Sequence, residues 1–154
     1  MIIINVKPPV ILASKIIGIW KLKARENIDT SGHRKVEVIH DSDPLGIICF
    51  TAGYFSAQFI KRERSNTDEL NQLAQWNENS TLFNDYDVYF GNYQLDENTG
   101  VIAIQIQGSV FTENIGKIFC GNVCVLDNEL LIQLDTVSPD GTAVIRTNTF
   151  ERIG

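Results

Sequence analysis

Histidine is scarce in this chain. His33 and His40 are the only two, seven residues apart in a polar stretch. Zinc sites draw on three or four protein ligands, and no cysteine or further histidine stands at ligand spacing from either residue. A metal site is therefore not expected, nor is any other cofactor. Cysteine is nearly as rare, and Cys49, Cys120 and Cys124 cannot all pair with one another. Residues 120 and 124 share one face of a β-patterned segment, about 13 Å apart along the strand, beyond disulfide reach. The three read as small buried hydrophobes of a reducing compartment. Positive charge is also short: 13 Lys and Arg stand against 19 Asp and Glu, a net charge of −6, and no basic run exceeds Lys61-Arg62-Glu63-Arg64. Nucleic-acid binding needs a positive footprint that displaces counterions, so no nucleic-acid partner is expected. The apolar opening from Met1 to Leu12 is broken by Lys7, Pro8 and Pro9. It is too short for a membrane span and lacks the order of a signal peptide. The expectation is no membrane partner and a cytoplasmic location. Gly-x-Ser-x-Gly elements and glycine-rich phosphate loops are missing as well, which leaves esterase-type and nucleotide chemistry without support.

What is present is β-patterning. Ile16 to Arg25 alternates, with Trp20, Leu22 and Ala24 on one face and Lys21, Lys23 and Arg25 on the other, the pattern of a half-buried strand. Gly46 to Ile60 reads as two strands joined by a tight Thr51-Ala52-Gly53 turn. Further strands are expected at Tyr89–Leu95, Val101–Gln107, Gly116–Leu126, Leu130–Asp135 and Thr142–Arg152, punctuated by turn residues at Asp96–Gly100, Asp127-Asn128 and Pro139–Gly141. Only Thr67–Trp76 has helical spacing with acids in its first turn, and a short helical piece is expected near Leu82–Tyr86. About eight short strands interrupted once by a helix indicate a single all-β domain over residues 1–154, an up-and-down antiparallel barrel with residues 1–15 as an N-terminal extension.

Three groups of residues carry a family resemblance: Gly18-Ile-Trp20; Phe50-Thr-Ala-Gly-Tyr-Phe-Ser-Ala-Gln58; and Tyr86–Leu95 followed by Gly108-Ser-Val-Phe111, Gly116 and Phe150-Glu-Arg152. In order and spacing they resemble the lipocalin-like domain family of bacterial and fungal proteins, from about Ile16 to Ile153. The resemblance implies a lipocalin-like (calycin-type) barrel. It also implies that Trp20 packs at the closed end under an arginine near the chain's end, Arg152, with Arg146 as the alternative. The chain departs from the family where strand histidines are often found, carrying Ile104 and Gln105, and also at Thr112, Asn114 and near Gly121. A histidine-based activity is not carried over.

The remaining polar candidates lie on strand faces: Tyr54, Ser56 and Gln58; Tyr89 and Tyr93; Gln105 and Gln107; Arg146, Asn148 and Arg152. Alternation alone leaves open which faces turn inward. If the barrel holds a site, Tyr54, Gln58 and the loop residue Glu113 are the candidates for chemistry, and Ser56, Tyr89, Tyr93, Gln105, Gln107 and Phe111 for contact with a ligand. A mostly apolar cavity with a few convergent polar groups is the usual build of a small-molecule site. The first expectation is binding of a small, largely hydrophobic molecule in a biosynthetic setting. The second is a cofactor-independent cyclase or isomerase that folds a polyketide- or terpenoid-like substrate and polarises it by hydrogen bonds. The third is a filled barrel whose outer face mediates self-association, as in a homodimer.

Overall fold

The computed structural model describes residues 12–35, 44–62, 86–138 and 141–154. Eight strands form a closed antiparallel barrel: β1 (Gly18–Asp29), β2 (Leu45–Phe50), β3 (Tyr54–Ile60), β4 (Tyr86–Leu95), β5 (Val101–Ser109), β6 (Ile118–Leu126), β7 (Glu129–Val137) and β8 (Ala143–Arg152). Each strand pairs with the next, and β8 pairs back with β1 to close the ring. The helix expected at Thr67–Trp76 lies outside the described residues, as do positions 82–85; Tyr86 is already strand.

Alternation decides which side chains fill the barrel. On β5, Ile102, Ile104 and Ile106 are buried while Gln105 and Gln107 are exposed. On β3 the buried set is Phe55, Ala57 and Phe59. A period of two fixes the whole of each strand once one residue is committed, and the face with more apolar area takes the inside. The same logic corrects the expectation for cysteine. Val123 and Val125 take the inward positions of β6, so Cys120 and Cys124 are exposed, and Cys49 is half-buried.

β1 breaks its own alternation. Leu22 pairs with Phe150 and Ala24 with Thr149, leaving Lys23 as an extra residue in a bulge. Lys23 and Ala24 both face solvent, and the phase beyond them is reversed, so Arg25 and Asn27 are buried. The expected outward placement of Arg25 and inward placement of Ala24 are both overturned for this reason.

One end of the barrel is closed by the segment just before β1. Leu12–Ile16 forms a short helix, α1, which the sequence pattern does not reveal. The Glu97 carboxylate in the β4–β5 turn accepts from the Leu12 and Ala13 amides at 2.7 and 3.0 Å, serving donors that a helix start leaves unsatisfied. Ile16, the last residue of α1, and Trp20 on β1 are wholly buried, and the Trp20 indole donates to the Ile16 carbonyl at 2.8 Å. The Arg152 guanidinium lies 4.2 Å from the Trp20 ring and donates to the carbonyls of Lys15, Ile17 and Gly154. Arg152, not Arg146, is the partner of Trp20.

This plug joins the segment before β1 and the end of β8 at the barrel floor. Arg152→Ala is expected to lower the unfolding free energy by about 2–3 kcal/mol, from the lost cation–π contact and the carbonyls left without their charged donor. Trp20→Ala is expected to cost about 3–5 kcal/mol. Urea denaturation of the two variants checks both values.

Candidate functional site

Above the plug the interior is apolar. Phe50, Phe55, Phe59, Ile104 and Phe150 border a cavity of about 20 Å³, with Tyr89 and Asn148 its polar liners. That volume holds about one water molecule. The described closed half is therefore filled by side chains.

Toward the opposite end, where β1 finishes and β8 begins, the interior turns polar. Arg25 and Asn27 on β1 stand in register with Asn148 and Arg146 on β8. Arg25 Nε donates to Asn148 Oδ1 at 2.8 Å, and Arg146 Nε donates to Asn27 Oδ1 at 2.9 Å. The two Arg–Asn pairs are reciprocal: each strand gives one arginine and one asparagine. Arg25, Asn27 and Asn148 are 3%, 1% and 3% exposed. Asn27 Nδ2 is buried with no hydrogen-bond partner. The Arg25 guanidinium also lies 4.3 Å from the centre of the Phe59 ring, and that ring stacks on Tyr89.

The electrostatics follow from burial. Arg146 is pulled down to about 9, first by desolvation and then by the positive charge of Arg25. It still carries its proton at neutral pH. Arg25 is also lowered by burial, with Tyr89 and Asp87 opposing the shift. Tyr89 is held well above the usual phenol range, mainly by burial and further by Asp87. At neutral pH its hydroxyl remains protonated and able to donate.

Of the residues nominated from sequence, the structure brings Tyr89 into this layer. Tyr93 also turns inward, but at the closed end, where its hydroxyl donates to the Thr51 carbonyl at 2.6 Å and its ring meets Phe50 edge-on. An inward placement fails for the others. Tyr54 is 60% exposed, and Ser56 and Gln58 are exposed with it, because Phe55, Ala57 and Phe59 occupy the inside of β3. Gln105 and Gln107 are displaced by the isoleucines of β5 in the same way. Glu113 is exposed in a 3-10 turn (Thr112–Asn114), and Phe111 is half-buried just before it. Arg25 and Asn27 are not among the polar candidates of the sequence, and Arg146 and Asn148 appear there only as a polar strand face with no role in a site assigned. A signal for them exists in the chain: Arg25-Glu26-Asn27 and Arg146-Thr147-Asn148 repeat one pattern on the two strands that close a barrel. Among the described residues, no three of His, Cys, Asp and Glu gather as a metal site, and no helix is long and apolar enough to cross a membrane.

A family profile described as a lipocalin-like domain matches residues 17–152. The chain belongs to the lipocalin-like domain family. Among solved structures, a lipocalin-like protein from Bacteroides uniformis ATCC 8492 is 16% identical, with a TM-score of 0.46 over 90% of this chain and 98% of the other. An uncharacterized protein from Bacteroides eggerthii DSM 20697 is 14% identical, with a TM-score of 0.46 over 90% and 99%. No curated protein sequence matches this chain. The resemblance read from Gly18-Ile-Trp20, the β2–β3 hairpin and the terminal Phe150-Glu-Arg152 thus identified the family, and the lipocalin-like barrel is consistent with binding a small ligand.

Two outcomes are expected from the buried layer. Replacing Asn27 by Leu takes away the acceptor of Arg146 Nε in a buried place, and should lower stability by about 1–3 kcal/mol in urea titrations. Tyr89→Phe should leave the absorbance step of tyrosine ionisation around pH 10 unchanged, because Tyr89 does not contribute to it.

Proposed function

We propose that this barrel takes up one small, largely hydrophobic molecule, lodged with its apolar body toward the closed half and its polar end in the Arg–Asn layer. The observation that carries this reading is the polarity gradient inside the barrel. The floor is made of Trp20, Phe50, Phe150 and isoleucines, and the upper layer of Arg25, Asn27, Arg146, Asn148 and Tyr89. A filled scaffold has no use for two desolvated guanidiniums above an apolar floor, because burying charge costs stability that an all-apolar interior would keep. The cavity of about 20 Å³ is too small for such a molecule. Uptake therefore requires Phe59 and Tyr89, which separate the cavity from the arginines, to change rotamer.

A biosynthetic or sequestering role for the bound molecule belongs to the same reading. The cyclase or isomerase alternative would have to use different groups from those nominated on sequence grounds. Tyr54, Gln58 and Glu113 face solvent, whereas the protonated Tyr89 beside Arg25 is the pair suited to polarising a substrate carbonyl.

The neutral fluorophore N-phenyl-1-naphthylamine tests the reading. It is expected to gain fluorescence with the protein at one site per chain. Ile104→Trp, which fills the cavity, should weaken it about tenfold or more, while Tyr54→Phe and Gln58→Ala leave it unchanged. The absence of any saturable site, or loss of binding on changing the outer face, would overturn it.

A further inference from the structure

We propose that the buried amide of Asn27 seats a neutral carbonyl oxygen, so that the molecule taken up carries a ketone, an ester or a similar uncharged acceptor at its polar end. This rests on the barrel-binding reading above and adds the chemical class of its ligand.

Arginine sets the orientation of the amide. A guanidinium has N–H donors and no acceptor, so an asparagine that meets one turns its oxygen toward it. Arg146 Nε donates to Asn27 Oδ1 at 2.9 Å, and Arg25 Nε donates to Asn148 Oδ1 at 2.8 Å. Both guanidiniums have further partners as well, and Asp87 acts on Arg25. Each is thus a fixed point against which one amide is locked, with its NH2 turned away from the arginine. At Asn27, 1% exposed, Nδ2 meets no hydrogen-bond partner among the described residues. A buried donor left unmet is costly, and an acceptor brought in by a ligand removes that cost on binding.

The class of acceptor follows from charge. The open donor is a neutral amide, and both cations beside it already have partners. A carboxylate would give up its water for a neutral donor, a poor exchange in a buried place. A carbonyl oxygen gives up less and regains a hydrogen bond. The cavity beside the layer agrees, because no charged side chain lines it. Its polar liners are Asn148, whose amide is held by Arg25, and Tyr89, whose hydroxyl burial keeps protonated. A carbonyl seated at Asn27 directs an attached hydrocarbon past these neutral groups toward the barrel floor.

Displacement of bound N-phenyl-1-naphthylamine at neutral pH by 2-decanone, by its hydrocarbon isostere 2-methyl-1-decene and by decanoate tests the seat. On the wild type, decanoate is expected to compete about tenfold less well than 2-decanone. Asn27→Asp keeps an oxygen for Arg146 Nε and puts a second oxygen where the NH2 stood. It is expected to weaken 2-decanone about tenfold, to leave the hydrocarbon unchanged and not to lower the melting temperature. Infrared spectroscopy needs no variant, and decides the case if this one does not fold. The carbonyl stretch of bound 2-decanone, isotope-labelled at that carbon, should lie below its value in hexane. An unshifted stretch, a ketone affinity that Asn27→Asp leaves intact or lowers no more than that of the hydrocarbon, or stronger competition by decanoate than by the ketone would overturn the carbonyl seat and leave barrel binding standing. Failure of the probe and of every competitor to bind would overturn the barrel reading, and the seat with it.

Discussion

Lys23 is one residue more than the β1–β8 ladder can pair, and the chain accommodates it as a bulge between Leu22 and Ala24. The rest of the interior depends on this. On the closed side of the bulge, Trp20 and Leu22 turn inward over the floor. On the other side the phase is reversed, and Arg25 and Asn27 turn inward where simple alternation would have placed Ala24 and Glu26. Because β8 carries no matching insertion, Arg146 and Asn148 arrive directly opposite Asn27 and Arg25. Bulges bend and re-aim strands at the cost of one unpaired residue. Here the same device divides the barrel into an apolar half and a polar layer.

Much of the architecture was legible in the sequence because it depends on local pattern. Ile102, Ile104 and Ile106 alternate with polar residues, and no partner is needed to read them as a strand face. The turns at Thr51–Gly53 and Asp127-Asn128 are chemical signals that survive any context. The Trp20–Arg152 pairing was legible through family resemblance, since nothing in local pattern joins residues so far apart. The phase of β3 was harder. Tyr54, Ser56 and Gln58 look like a site because they are polar and aromatic, but Phe55, Ala57 and Phe59 offer more apolar area, and burial of that area decides orientation. Weighing the two faces by area would have sent Tyr54 and Gln58 outward.

The bulge itself was not legible. Lys23-Ala24 carries no glycine or proline to mark it, and a run that alternates cleanly from Trp20 to Arg25 invites a regular strand. An irregularity of this kind is set by the partner strand, through the register that lets both Trp20 meet Arg152 and Asn27 meet Arg146. The β1 half of the candidate site, Arg25 and Asn27, was missed for the same reason, and Arg146 and Asn148 stood only as a polar face with no strand assigned opposite. The site's four residues are contributed by β1 and β8, and their convergence exists only after closure. The one trace in the sequence is the repeated Arg-x-Asn, which means nothing until β1 and β8 are known to be antiparallel neighbours.

The three inward-lying arginines show how the acceptor sets the role of a buried cation. Arg152 is held by backbone carbonyls and the Trp20 ring at the barrel's rim, where its donors are satisfied and its charge is close to water. It closes the floor. Arg25 and Arg146 are held instead by asparagine oxygens in the interior. A carboxylate in either asparagine position would orient the guanidinium as well, through a shorter, charge-assisted hydrogen bond. An amide fixes direction and contributes no charge of its own. It also turns an NH2 toward the interior, which at Asn27 remains without an acceptor. The fold thus keeps an unmet amide donor at Asn27 beside a guanidinium whose pKa burial lowers. Apolar residues of similar volume at these positions would avoid burying polar groups at all, so stability alone does not account for the layer.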